Sequence, residues 1–489
     1  MLRPKPVLFS PIDGEIKRLY FPALLALVLE PVQSLIDAVV VGRIGTQQLG
    51  ALGIGTVTFQ LVLGFFSAFI FATTTLVAEE ENGNGEGYLS DVPASSDKGV
   101  SVPRKEKSAV YKGTTLAVLV GFLLQVAVIK LSPAAMHTVS SDSTVASLSN
   151  DYVQSRAYAS IPALVMMVGV GAGRGYKDMW TPLLGSLAYG ISLAVFDVIF
   201  VWQLHMGLEG AGYAASVSQW IGATIVMWSL WNNGNLRLED FFSAKAVPTG
   251  DSVSVYASMA GPLALSSTAA LAPILLSSSI ATRLGPEELA AHTVLRQIST
   301  FWIQLFMGFN ATAHSLVANS LGKKTVQGVL EASRVMERIV YVAVATSVPL
   351  AGVLYASRKL LPLAFNDSPF VVEVVVSVLP LLLALAPLDA LSLAFEGAIL
   401  GASDTSWIAK RAAGGSALSV FALELLALGG TGCSLWSIWA ALKLLNVSIL
   451  VADVTRLARP TSGGARSERT NSNRPTKLNC PTNSTARRR

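Results

Sequence analysis

The chain has 489 residues, of which 52% are hydrophobic and only 14% charged. A soluble domain carries about 25% charged residues, so the deficit excludes an ordinary soluble, disordered or fibrous protein and points to repeated membrane crossings. The formal net charge is +5, but residues 457–489 alone hold 8 basic and 1 acidic residue, so the basic excess belongs to a terminal tail and not to a nucleic-acid groove.

A membrane helix needs about 20 mostly apolar residues. Twelve such windows follow one another along the chain: Leu19–Val41, Leu49–Ala78, Ala109–Leu131, Tyr152–Gly173, Leu183–Leu204, Ala211–Trp231, Val255–Thr282, Leu289–Ala318, Ile339–Ala356, Val372–Leu400, Trp407–Leu428 and Leu435–Thr455. The second, eighth and tenth exceed one crossing, which predicts tilting, bending or projection. Glu81–Lys107 is rich in Gly, Ser, Asn and charge and reads as a disordered loop; Leu457–Arg489 reads as a disordered basic tail. The expected organisation is an N-terminus (1–18), a six-helix bundle (19–232), a linker (233–253), a second six-helix bundle (254–456) and the tail (457–489).

With the first residues in the cytoplasm, about 28 of the 36 Lys and Arg fall inside. The outer loops then hold Arg43, Lys130, Arg156, Arg283, Arg358 and Lys359. This asymmetry predicts a multi-pass protein with both termini cytoplasmic. It does not distinguish the plasma membrane from an organelle membrane.

Catalytic motifs are missing from the sequence. The 4 His (His137, His205, His292, His314) form no H-E-x-x-H, and there is no G-x-x-x-x-G-K-[ST] phosphate loop. The 2 Cys, Cys433 and Cys480, form neither a disulfide framework nor a metal site. The expectation is a chain that is not an enzyme and uses no metal or organic cofactor.

An internal repeat is legible. Shifted by about 240 residues, Val41–Ala51 lies over Ala281–Ala291, with Arg43 on Arg283, Gly45 on Gly285 and Leu49 on Leu289. The register continues to Leu76-Val77-Ala78 over Leu316-Val317-Ala318. A second match sets Gly175 and Asp178 over Gly401 and Asp404. The fold class is therefore all-α, with twelve transmembrane helices in two six-helix bundles of the same direction.

Four stretches carry a family resemblance. They are Glu30–Gly45 (EPVQSLIDAVVVGRIG), Thr73–Glu80 (TTTLVAEE), Arg174–Pro182 (RGYKDMWTP) and Glu396–Asp404 (EGAILGASD). Taken in order along twelve spans, they resemble the multidrug and toxic compound extrusion (MATE) family, most of all the branch with plant citrate exporters and related plastid and bacterial proteins. The resemblance implies a secondary antiporter that exports organic solutes, organic anions such as citrate or xenobiotics, in exchange for H⁺ or Na⁺ by alternating access. Its partners would be a small organic solute and the lipid bilayer, with no nucleic acid, and the expected state is a monomer.

Ionisable groups inside spans are functional-site candidates. Asp37 in span 1 and Asp197 in span 5 match acidic positions where proton-driven members load their ion. A carboxyl removed from water favours its neutral form, so it can take a proton on one side and lose it when wetted from the other. The family usually has Asn four residues before Asp197 and Pro just after it; here those positions are Leu193 and Val198. Glu30 stands seven residues before Asp37, on the same helical face, as a gate, a substrate contact or an interfacial acid. In span 10, Asp389 and Glu396 are also seven apart, and Glu396 matches an acidic position facing the central cavity. Gln297 and Gln304 in span 8 are expected to line that cavity, as is Arg296. The alternative is a lipid or glycolipid flippase of the same superfamily, which would carry a lateral portal and a cationic cavity.

Overall fold

The structure is a computed structural model that describes residues 11–82, 108–139, 143–364, 369–428 and 434–458. The expected polar loop and basic tail fall almost wholly outside these residues, as do Cys433 and Cys480. The described residues contain helices and turns but no strand.

Twelve helical rods follow in chain order. They are α1 (Pro11–Gly42), α2 (Thr46–Gly64 then Ala68–Asn82), α3 (Ala109–Val139), α4 (Ser143–Ala157 then Ser160–Gly175), α5 (Trp180–Asp197, continuing as the π-helical Val198–Gln203), α6 (Gly207–Asn232), α7 (Gly250–Leu284), α8 (Pro286–Gly322), α9 (Val326–Ala356), α10 (Pro369–Ala384 then Ala386–Gly401), α11 (Thr405–Leu428) and α12 (Leu435–Ala458). Helices close their own backbone hydrogen bonds, which a bilayer core demands. Eight rods are long and apolar enough to cross a membrane, and the two bent ones, α4 and α10, bring the number to ten. The other two, α6 and α8, pack within the bundles.

Proline explains both bends. The 56° bend of α4 lies just before Pro162, which cannot bond back to the Tyr158 carbonyl. The 48° bend of α10 lies at Leu385, where Pro387 opens the second segment. Of the three long windows, α2 is interrupted and α10 bends, while α8 runs unbroken for 37 residues. Three cations expected in outer loops are helical instead: Lys130 lies in α3, Arg156 in α4 and Arg283 in the last turn of α7.

The repeat is visible in the packing. In the first bundle α1 packs on α5, α2 on α4, α3 on α4 and α5 on α6; in the second, the same pairs recur six helices later. Local geometry repeats as well. Lys177 and Ser403 both adopt positive φ (57° and 59°) just after α4 and α10. The next residue closes the turn in each case, Asp178 N–H on the Gly173 carbonyl (2.7 Å) and Asp404 N–H on that of Ile399 (3.1 Å). Each aspartate then caps the following helix. Asp178 accepts from the N–H of Thr181 (3.3 Å) and Asp404 from that of Trp407 (3.3 Å). A further donor comes from the close of each bundle, Asn233 just past α6 to Asp178 (3.0 Å) and Arg456 of α12 to Asp404 (2.9 Å). In α10, Gly397 and Gly401 form a G-x-x-x-G stripe against α8; a Cβ at 397 would stand 2.2 Å from the Asn310 carbonyl oxygen.

The bundles meet most closely at the end where α1 begins, here termed the base. Ser315 Oγ donates to the Arg174 carbonyl (2.5 Å) and Asn319 Nδ2 to that of Gly175 (2.9 Å). Asn82 Nδ2 reaches Asn319 Oδ1 (2.9 Å), Lys324 pairs with Glu79 (3.1 Å), and Arg338 pairs with Asp13. Further from the base, an apolar cleft of about 300 Å³ separates Val57, Leu61 and Phe65 of α2 from Ser267 and Leu271 of α7.

Candidate functional site

A cavity of about 320 Å³ lies within the first bundle. Glu30, Gln33 and Asp37 of α1 line it, together with Arg156 and Arg174 from α4. From Ala23 to Asp37 the cavity follows α1 for about 20 Å, at 1.5 Å per residue.

Asp37 and Asp197 come together here. Both are buried, at 6% and 0% exposure. Each carboxyl acts electrostatically on the other, and among the described residues neither oxygen of Asp197 nor Asp37 Oδ1 has a hydrogen-bond partner. Asp197 is the last residue before the π-helical segment, and Val198, which keeps the N–H that a proline would lack, bonds the Val195 carbonyl so that the helix continues. A π segment beside a buried charge is a frequent mark of function.

The counter-charge is Arg156. Its guanidinium donates to the Tyr152 hydroxyl and lies 5.2 Å from the Phe59 ring centroid. Tyr152 also exchanges a hydrogen bond with Thr56 (3.2 Å). Asp37, Asp197 and Glu30 all lie within the electrostatic reach of Arg156. Gln33 does not touch the charges; it ties α1 to α5 by donating to the Ser186 carbonyl (3.0 Å). The Asp37–Asp197 pair shares one guanidinium with Glu30, so at least one carboxylate charge of the pair is uncompensated in a low-dielectric site, and a proton removes it.

The other sequence candidates lie elsewhere. Asp389 is 3% exposed and is held by Lys443 (2.5 Å) and Asn446 (2.8 Å). Glu396 is paired with Arg411 (2.6 Å), which also holds Asp453 (2.9 Å); Trp407 Nε1 completes that group (3.1 Å). Both acids thus spend their charge on partners within the second bundle, and neither lines the cavity. Gln297 is exposed and Gln304 half-buried on α8, and neither lines the cavity; Arg296 is exposed too.

Arg156, Tyr152 and Thr56 were not singled out from the sequence. Tyr152 and Arg156 are four apart, the spacing of helical neighbours, which is the signal that was available. Arg174 stands in one of the quoted motifs, yet its charge drew no reading.

The MatE family model matches residues 22–86 and 262–424. Protein DETOXIFICATION 44, chloroplastic, of Arabidopsis thaliana is 29% identical over 458 residues, covering 92% of this chain and 83% of its own length. DETOXIFICATION 45, chloroplastic, of the same plant is 26% identical over 474 residues, covering 91% and 78%. A crystal structure of MATE in the bent conformation superposes with a TM-score of 0.77 over 91% of this chain and 94% of that one, at 15% identity, a likeness of fold alone. With the twelve helices and their internal repeat, these matches place the chain in the multidrug and toxic compound extrusion (MatE) family, whose members are transporters and not enzymes.

Proposed function

We propose that the chain is a secondary antiporter that exports organic solutes in exchange for H⁺, by alternating access between bundles spanning 19–232 and 254–456. The observation that carries this reading is the buried Asp37–Asp197 pair beside Arg156, of which Asp37 and Arg156 line a cavity inside the first bundle. The pair carries more negative charge than its arginine balances, so a proton taken up by the pair is the unit of exchange. The bundles are joined at the base and parted further up, which is one of the two states that alternating access requires. On this reading the base is the cytoplasmic end, both termini are cytoplasmic, the protein works as a monomer, and Glu30 guards entry to the pair. The chloroplastic names of its relatives support an organelle membrane.

The test is solute flux in proteoliposomes under imposed H⁺ and Na⁺ gradients, with labelled citrate and the lipophilic cation tetraphenylphosphonium as probes. A pH gradient should drive one of them, and Asp37→Asn should remove that drive. Flux driven only by Na⁺, or pH-driven flux that persists in Asp37→Asn, would overturn the proton assignment.

A further inference from the structure

The cavity holds a second cation with a different situation from the first. Arg156 is surrounded by the acids of the site. Arg174 lies at the base end of the same cavity, at the close of α4. Its carbonyl is bonded to Ser315, but its guanidinium has no hydrogen bond or ion pair among the described residues. Neither of the two acids that line the cavity, Glu30 and Asp37, nor Asp197 behind them, is within its electrostatic reach; what lies beside it is His314 of α8.

His314 sharpens the anomaly. It is 0% exposed, neither ring nitrogen has a hydrogen-bond partner among the described residues, and its ring centroid lies 5.4 Å from that of Phe71 with the rings tilted by 56°. An unpaired guanidinium and an unpartnered imidazole thus stand together at the bundle interface. Arg174 is half-buried, and its guanidinium lines the cavity with no counter-charge paired to it among the described residues. Elsewhere in the described membrane body the buried cations are matched: Lys443 has Asp389, and Arg411 has Glu396 and Asp453. The exception lines a cavity.

We propose that Arg174 is the receptor for an anionic oxyacid group, a carboxylate or phosphate, on the transported molecule. The planar fork of a guanidinium offers two parallel N–H donors to such a group, and a low-dielectric wall strengthens the contact. The proposal rests on the transport reading given above and names its cargo class. The cavity volume of about 320 Å³ is at the small end of the ~300–1,000 Å³ typical of ligand pockets, which suits a compact acid better than a bulky aromatic cation. The anion site and the proton site are separate: Arg174 marks the base end of the cavity and Asp37 the opposite end. Loss of one should therefore leave the other in place.

The experiment uses the purified full chain. Equilibrium binding of labelled citrate and of tetraphenylphosphonium is measured in wild type, Arg174→Gln, Arg174→Lys and Asp37→Asn. Flux of both probes, and scrambling of fluorescent phosphatidylglycerol, is followed in proteoliposomes. Citrate should bind wild type, bind Arg174→Gln at least tenfold more weakly, and recover in part with Arg174→Lys. Asp37→Asn should bind citrate and fail only in pH-driven flux. Should Arg174→Gln not fold, Arg174→Lys decides, since it keeps the charge and loses the fork: citrate affinity should fall about threefold or more with tetraphenylphosphonium unaffected. Citrate bound equally by the variants, or wild type that takes tetraphenylphosphonium and not citrate, overturns the proposal while leaving antiport intact. Arg174-dependent citrate binding without gradient-driven flux upholds the anion site and fails the antiport reading. Arg174-dependent scrambling of phosphatidylglycerol without citrate flux upholds the oxyacid receptor, assigns it to a lipid headgroup, and likewise fails antiport.

Discussion

Replacing Lys443 by methionine tests whether the second bundle's acids are structural. Lys443 and Asp389 are 5% and 3% exposed and meet at 2.5 Å, on helices α12 and α10. Methionine keeps most of the side-chain volume and removes the ammonium, which leaves Asp389 with Asn446 alone. Breaking a buried pair by removing one partner costs about 3–5 kcal/mol, because the surviving charge is stranded. The double variant Asp389→Leu with Lys443→Met removes both charges and should lie within about 1.5 kcal/mol of wild type. The assay is reversible unfolding of the purified protein in mixed micelles, read by tryptophan fluorescence, for wild type, both single variants and the double variant. With each single variant costing about 3–5 kcal/mol and the double within about 1.5, the interaction term of the cycle should reach about 4.5 kcal/mol or more, above the ~0.5–3 kcal/mol usual for neighbouring residues. A single variant Lys443→Met within 1 kcal/mol of wild type, or a double variant as unstable as the singles, would refute the claim that the pair is a closed structural unit.

Three further outcomes follow from geometry already given. Arg156→Gln strands the Asp37–Asp197 pair without its cation, so pH-driven flux should fall at least tenfold, and Arg156→Lys should restore part of it; undiminished flux in Arg156→Gln would remove Arg156 from the site. Gly285→Ala forces a side chain into φ 141° with its Cβ 2.7 Å from Glu288 Oε2, so it should cost about 1–3 kcal/mol in the same unfolding assay. Gly14→Ala, with nothing within 4 Å of the added carbon and ordinary helical backbone, should instead stabilise by about 0.4–1 kcal/mol.

Helices, their number and the duplication were legible because apolar windows and the shift of about 240 residues depend only on local composition and register. The Asp37–Asp197 pairing was half legible: each acid stood out in an apolar run, while their mutual contact is a tertiary fact. Arg156 was misplaced because Ser143–Ala157 carries Ser149, Asn150, Asp151 and Gln154, which reads as a polar outer loop; folded, those residues belong to a short helix broken by the proline-linked bend. Asp389 and Glu396 do share a helical face, as their spacing demands. What sits opposite is set by α11 and α12, through Arg411 and Lys443, and no local pattern ranks one such partner against open cavity. The same holds for Gln297 and Gln304: spacing selects a face of α8 but not what that face meets.

Beside the ion pairs Lys324–Glu79 and Arg338–Asp13, the base is closed by a buried neutral seam, and this determines what can reopen that part. Ser315 and Asn319 reach the carbonyls of Arg174 and Gly175 without any charge pair, in buried surroundings. Ionic strength, which weakens exposed charge pairs over a Debye length of about 8 Å, has little hold on such a seam. Parting it instead exposes two peptide oxygens, a hydroxyl and an amide that must each be wetted, so water itself is a reactant in the opening step. Osmotic stress should therefore act on the cycle as a mass-action lever: solutes excluded from the interface withdraw that water and hold the base shut, while dilution releases it.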